Sequence, residues 1–503
     1  MSYFNRLAVL VCLAVALGAG LAAAEREDHS AAMVLIEVVA TPPNLFAPWQ
    51  SPAPESSSGS GVILPGRRIL SAAHVVAGAT MLEVSRADSE RTYRAHVEHV
   101  CHDCDLALLR VEVEEEDFFE GSEALEIGDL PRPQDRVEVH GFPMGGDGLS
   151  ISAGIVSRIL VDGYFHSGRE LLLVQVDAPI NPGNSGGPAL DGKRVVGIAV
   201  QGYGDREGLG YIVPAPVIRH FLEDVEDGHF DGIPSLGIYT QPLRNPAFRR
   251  HMGLDDAQGG VLVKAVAAHG SASSVLRPGD VLLTVDGVPI GEDGQAALLS
   301  GVRVDARHLE QRHQVGDQMA IEFAREGSLR REVVKMRSPR RAIPLGTYDG
   351  EPRYRIYAGL VFQPLTERYL DLWEGRPASH LDAIRHDPTQ LSSRSTIQHE
   401  SLASRDEFVV LSGVLHNELT QGYQGFGDEI VHAVNGSPVR SLEHLSEALD
   451  SAQGEFVKIT LRRGDVMVVS RKEAQAKNAE ILASYGVSRD RSGRLESLPA
   501  SIR

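Results

Sequence analysis

Cysteine is scarce in this chain, with three residues among 503, and Cys12 lies in an apolar leader, so only Cys101 and Cys104 bear on the folded part. Two cysteines exclude a disulfide-stapled scaffold. Although His102 lies between them, no second Cys/His pair follows at the spacing a zinc site needs, so neither a metal nor a cofactor is expected. The pair reads either as a local disulfide in an oxidising compartment or as two buried thiols. Positive charge is also short: 49 Lys and Arg stand against 68 Asp and Glu, a net charge of -19. The acidic residues are spread along the chain apart from a short run at 112–116, and nucleic acid is excluded as a partner. Long apolar runs are absent after residue 24, which excludes later membrane spans. The single run, 7–21, follows Arg6 and precedes Ala22-Ala23-Ala24 and Glu25, the pattern of a cleavable signal peptide covering 1–24. The expected protein is exported, periplasmic or secreted, with no stable membrane insertion after cleavage. An uncleaved anchor is the alternative, although the run is rich in Ala and Gly and falls short of the roughly 18 residues that span a bilayer.

What is present is β-structure. A chain of this length divides into about three or four domains. From 31 to about 226, short Val/Ile/Leu runs (33–40, 61–64, 136–140, 154–160, 171–176, 194–200) alternate with Gly, Pro and Asp turns, the spacing of a β-sandwich or barrel. Residues 41–60, rich in proline and serine, are expected to form a long surface loop, and 217–225 a short closing helix. Beyond Gly232 the sequence repeats itself. Gly237-Ile238-Tyr239-Thr240-Gln241-Pro242-Leu243 matches Gly359-Leu360-Val361-Phe362-Gln363-Pro364-Leu365, and 279–289 matches 427–438, so two related modules follow the β-domain. Each is expected to end with a helical stretch and an alternating strand, 319–325 and 456–462. The segment 370–405 is an insertion in the second copy only.

Three short motifs carry chemistry. Asn181-Pro182-Gly183-Asn184-Ser185-Gly186-Gly187-Pro188 sets a serine on a glycine-rich turn, where the amides of Gly183 and Ser185 can point at one spot as an oxyanion hole. Ser71-Ala72-Ala73-His74 places a histidine after an apolar strand, among small residues. Cys104-Asp105-Leu106-Ala107-Leu108-Leu109 sets a carboxylate at the edge of a buried strand. Any one of these has an ordinary structural explanation. Together, in the order His, Asp, Ser, they supply base, orienting acid and nucleophile for acyl transfer from an amide.

On these residues the chain resembles the trypsin-like serine proteases of the HtrA/Deg (protease Do) family. The resemblance extends through Gly59-Ser60-Gly61-Val62-Ile63, Gly141-Phe142-Pro143, Gln175-Val176-Asp177-Ala178 and 208–214. The stretches 44–50, 358–362 and 485–488 resemble the plant nucleolar Deg subfamily, whose location the leader does not match. The resemblance implies a mainly β protein: a chymotrypsin-like double β-barrel protease domain (30–228) followed by two PDZ-like α+β domains, 233–340 and 343–474, with 475–503 as a tail. It also implies ATP-independent cleavage of misfolded or unfolded polypeptides by a homo-oligomer, a trimer or a multiple of trimers, with PDZ domains that recruit peptide C-termini. Position relative to Ser185 assigns Pro179, Val200, Gln201 and Gly202 to the substrate pocket; no acidic residue is among them, so small aliphatic residues are expected before the scissile bond. Residues 162–169, with Arg169, match the family's sensor segment, or form a solvated turn. Leu236, Gly237 and Ile238 are expected to bind a peptide carboxylate in the first module. A catalytically silent peptide-binding holdase and an esterase using the same triad are the competing readings.

Overall fold

The computed structural model describes residues 28–493 except 90, 145–147, 203–208, 256–257, 268–269, 339–342 and 373–405. The leader and nearly all of the insertion 370–405 therefore lie outside the described residues. Among those described, no helix is long and apolar enough to cross a membrane.

Six strands close the first barrel: β1 (Met33–Ala40), β2 (Glu55–Leu64), β3 (Arg68–Ser71), β4 (Ala79–Arg86), β5 (Tyr93–Cys101) and β6 (Leu106–Val111), in the order β1-β2-β3-β6-β5-β4. Here the structure corrects an expectation. The serines at 55–60 are not loop; they begin β2, which runs antiparallel to β1 from Glu55 opposite Ala40 to Val62 opposite Met33. Pairing along the whole of β1 fixes a segment whose side chains carry no apolar signal. The second barrel is built from β8 (Arg136–Gly141), β9 (Ser150–Gly163), β10 (Glu170–Val176), β13 (Gly210–Pro214), β12 (Arg194–Gly202) and β11 (Pro188–Asp191), closed by β11 against β12, with β7 (Glu126–Ile127) added beside β12. The closing helix is Ala215–Asp224. One apolar core runs through both barrels.

The modules share a sheet plan and differ at its edge. In the first, β14 (Ile238–Pro242), β15 (Val261–Val266), β16 (Val281–Val285), β20 (Gln318–Arg325) and β21 (Ser328–Lys335) follow one another in space, and β17 (Val288–Pro289) pairs with β16. The helical stretch expected before β20 is instead a hairpin, β18 (Gln295–Leu299) with β19 (Val302–Asp305), and a 3-10 turn, Ala306–Arg312. Gly301 at φ +78° makes the reversal, and apolar residues of the hairpin pack on the protease core, an alternative burial that a helix would forgo. The second module does contain the helix, Leu442–Asp450, capped by Ser441 accepting from His444 N–H.

That second sheet runs β22 (Arg355–Tyr357), β23 (Leu360–Pro364), β24 (Val409–Val414), β25 (Glu429–Val434), β27 (Phe456–Leu461) and β28 (Val466–Ser470), with β26 (Ser437–Pro438) beside β25. Thus β23, the counterpart of edge strand β14, is covered by β22. The two are joined by a two-residue turn, Ala358 at φ +52° and Gly359 at φ +92°, the left-handed pair a tight hairpin requires. Residues beyond 474 are part of this fabric: the helix Arg471–Ser484 is followed by Val487 packed with Leu482 on Tyr354 and Ile356, and Ile356 N–H donates to Asp490 O at 2.6 Å.

Candidate active site

The cleft between the barrels gathers the three motifs. His74 lies on the short helix Ala73–Val76, over buried Ala72 and Ala73. Its Nδ1 meets Asp105 Oδ2 at 2.8 Å, and its backbone N–H donates to Asp105 Oδ1 at 2.9 Å. Asp105 is 3% exposed and stands at φ +53°, just before β6. A non-glycine residue in that region is held there by its surroundings, and here the carboxylate is held against both the ring and the amide of His74. Burial pulls the His74 pKa down, but the charge and hydrogen bond of Asp105 outweigh it and leave the imidazole above its ordinary value. Burial likewise works against the Asp105 carboxylate, and the attraction of His74 overcomes it, holding the acid below its usual range.

Ser185 enters from the second barrel, and β2 joins it to the histidine. Ser60 N–H donates to Ser185 O at 2.8 Å, and Ser60 Oγ donates to Gly183 O while accepting from Phe142 N–H. Gly59 fills the gap between them: a Cβ there would fall 2.5 Å from Val75 Cγ1, beside His74, and 3.2 Å from Ser185 O. The turn itself is pinned by its carbonyls. Pro182 O accepts from Met144 N–H at 2.8 Å and Asn184 O from Gly187 N–H at 3.0 Å. Because each peptide unit is planar and trans, these bonds aim the N–H groups of Gly183 and Ser185 away from the protein acceptors. Among the described residues neither amide donates to an acceptor. Gly183 sits at φ +97°, and a Cβ there would lie 2.3 Å from Phe142 O, so the position admits only glycine.

Of the pocket residues, Val200 lines a cleft together with Tyr164, Phe165, Leu173, Tyr211 and two acidic residues, Asp105 and Asp162. Pro179 is exposed, Gly202 pairs with Gly210, and the side chain of Gln201 lies outside the described residues. Residues 162–169 form a closed turn tied to the aspartate loop. Ser167 Oγ donates to Asp103 O at 2.9 Å, and Arg169 lies 3.5 Å from Asp103 while donating to Ile233 O at 2.8 Å. Cys101 and Cys104 are joined across Cα atoms 5.4 Å apart, directly before Asp105.

At Leu236-Gly237-Ile238, the Leu236 side chain is fully buried, and its N–H already donates to Glu310 Oε2 at 2.9 Å, which also accepts from Ser235 Oγ. Gly237 N–H donates to Ser235 Oγ at 3.2 Å. An internal carboxylate thus occupies a donor of this loop. Sequence reasoning missed Glu310 entirely, along with Tyr348 and Asp349 near His74 and Asp105, and touched His166 only as a member of the segment 162–169. None has a local motif, and His102 drew notice only as a neighbour of the cysteines.

Two barrels with this cleft define a serine endopeptidase of the trypsin-like class. Residues 59–198 match the trypsin-like peptidase domain model and residues 343–494 the PDZ domain model. Two proteins of Arabidopsis thaliana are similar over nearly the whole chain. Putative protease Do-like 3, mitochondrial, is 35% identical across 90% of this chain and 78% of its own length, and Protease Do-like 2, chloroplastic, is 36% identical across 92% and 75%. Among solved structures, the HtrA-type protease AlgW with decapeptide is 24% identical, covers 62% of this chain and 97% of its own, and superposes with a TM-score of 0.46. The chain belongs to the protease Do-like (HtrA/Deg) family of serine proteases, with a PDZ domain after its peptidase domain.

Proposed function

We propose that this protease cleaves misfolded or unfolded polypeptides without nucleotide, through an acyl-enzyme on Ser185. The observation that carries this reading is the hydrogen-bonded His74–Asp105 pair, joined through Gly59-Ser60 to a serine turn whose two amides donate to no acceptor among the described residues. With Nδ1–H donated to Asp105, His74 presents the Nε2 lone pair. Ser185 Oγ gives its proton to that nitrogen and attacks the scissile carbonyl carbon; the amides of Gly183 and Ser185 receive the developing oxyanion. His74 then passes the proton to the leaving amine. Water, deprotonated by the same ring, attacks the ester, and collapse of the second tetrahedral intermediate returns the proton to Ser185 and releases the acid.

The domain limits 30–228 and 233–340, a second module running from 343 past the expected limit of 474 through the helix Arg471–Ser484 to Asp490, removal of 1–24 on export and assembly into trimers or their multiples belong to the same proposal. The matched relatives carry mitochondrial and chloroplast names, which accords with a protein that leaves its site of synthesis. A pocket about Pro179, Val200, Gln201 and Gly202 would take small aliphatic residues, since none of these four offers a buried cation a partner. Degradation of casein, lost on treatment with a serine-directed inhibitor, tests the reading. Casein left intact by folded protein, with unfolded chains bound and kept soluble, would identify the holdase instead.

A further inference from the structure

Three loops of the protease domain meet two side chains from far along the sequence. Asp349 belongs to the segment that leads into the second module, and its carboxylate is divided between two of them. Oδ1 accepts from Gly78 N–H at 2.7 Å, just past the helix carrying His74. Oδ2 accepts from His102 Nε2–H at 2.9 Å, in the loop that ends at Asp105. One carboxylate therefore ties the histidine loop to the aspartate loop.

The third loop is reached through His102. With Nε2–H given to Asp349, a neutral His102 offers Nδ1 as an acceptor, and His166 Nε2–H donates to it across 2.9 Å. Tyr348 is buried against both rings. It stacks on His102 at 4.3 Å with planes 19° apart, lies 4.2 Å from His166 and donates its hydroxyl to His166 O. The Arg368 guanidinium covers Tyr348 at 4.7 Å. His166 in turn stands 6.2 Å from the His74 ring, so the cluster borders the triad directly.

The charges around the cluster suit a fixed, neutral spacer. Asp105, His74, His102 and Arg368 act on His166, whose pKa burial pulls down to about 4, so His74 faces an uncharged ring at neutral pH. The hydrogen bond from His102 holds the Asp349 carboxylate below its usual range against the cost of its burial, so both its oxygens remain acceptors.

We infer that Tyr348 and Asp349 are positioning residues for the triad: they hold the loops of His74, Asp105 and His166 in register, and so make turnover depend on the seating of the segment that begins the second module. The inference rests on the proposed hydrolytic mechanism. Displacing a catalytic group by about 1 Å costs up to roughly a hundredfold in rate, and the carboxylate of Asp349 bonds Gly78 and His102 rather than His74 or Asp105 themselves.

The test uses full-length protein, a short peptide substrate and a fluorophosphonate that labels the active serine. Wild type and Ser185→Ala are run first; an inactive wild type overturns the hydrolytic reading itself. Given an active wild type, Asp349→Ala should lower kcat about tenfold or more with KM within twofold. Labelling of Ser185 should slow in parallel, and the acid limb of the labelling profile should move. Tyr348→Phe, which removes the hydroxyl bond to His166 O and keeps the ring, should show a smaller effect of the same kind. Asp349→Asn keeps the shape and the Gly78 bond and should fall between, so it decides the matter if the alanine variant does not fold. Labelling rates and kcat equal to wild type in Asp349→Asn and Tyr348→Phe, or a rise in KM alone, overturn the inference.

Discussion

The two modules begin with the same signature, a glycine turn entering a strand with Gln-Pro-Leu, and put it to opposite uses. In the first, Gly237 lies in a loop whose donors face Glu310, and β14 is an edge strand. In the second, Ala358-Gly359 is the turn of a hairpin, and β22 sits where an added peptide strand would pair with β23. Strand addition needs an unpaired edge, so the second module has spent on itself the feature that the first retains. The difference teaches that a repeat conserved in sequence need not conserve an open site, because a few residues upstream can supply the missing strand.

The largest effect sets the baseline. Ser185→Ala should reduce peptide hydrolysis at least a thousandfold while peptide binding to the first module, followed by fluorescence anisotropy, stays within twofold. Hydrolysis surviving in that variant would detach the modules from the chemistry assigned to the barrels.

Next is the hairpin of the second module. Gly359→Ala places a Cβ at φ +92°, 2.3 Å from Asn417 Nδ2 and 2.9 Å from Leu415 O, and should cost about 1–3 kcal/mol, seen as a lower unfolding midpoint in calorimetry. Peptide affinity of the first module should not change. A gain in peptide binding by the second module would instead mean that β22 leaves its edge when loosened.

Acidity should move the two sites in opposite directions. His74 must be neutral to accept a proton, and its pKa is raised, so kcat/KM should fall about tenfold per pH unit below a midpoint above the ordinary histidine value of roughly 6.5. Burial raises the Glu310 pKa against the hydrogen bonds from Leu236 and Ser235. Its carboxylate is therefore neutralised earlier than an ordinary glutamate as pH falls, its hold on Leu236 N–H weakens, and peptide affinity should rise while hydrolysis declines. Parallel loss of both on acidification would separate Glu310 from the carboxylate loop.

The smallest effect sharpens the same point. Glu310→Ala frees the Leu236 amide from a charge-assisted bond, of a kind worth about 1.5–3 kcal/mol, and part of that gain returns as tighter binding. Peptides ending in Val or Leu should bind about five- to tenfold tighter by calorimetric titration. An unchanged or weakened affinity would show that the terminal carboxylate is held elsewhere.

Much of this was legible in the residues. Alternating apolar runs announced the barrels, and the small neighbours of His74 and the glycines around Ser185 marked their loops, because turns and close approaches impose local demands on residue type. The serine-rich half of β2 was not legible, since its pairing with β1 rests on backbone hydrogen bonds to which its side chains contribute little. A helical stretch is expected ahead of 319–325 from the likeness of the two modules, but burial of the hairpin against the barrels prevailed over that likeness.

The sequence by itself determined the class of chemistry, the motifs that hold the proposed catalytic residues His74, Asp105 and Ser185, and the presence of two related modules, since each is written in runs of neighbouring residues whose spacing follows backbone geometry. Only the tertiary structure decided that Glu310 occupies the Leu236 amide, that β22 covers β23 and that Asp349 bridges Gly78 and His102. The partners in that last bridge are 271 and 247 positions from Asp349. Contacts at such separation leave no periodicity or motif in the chain; they form because folding brings buried polar groups together and each must find a partner.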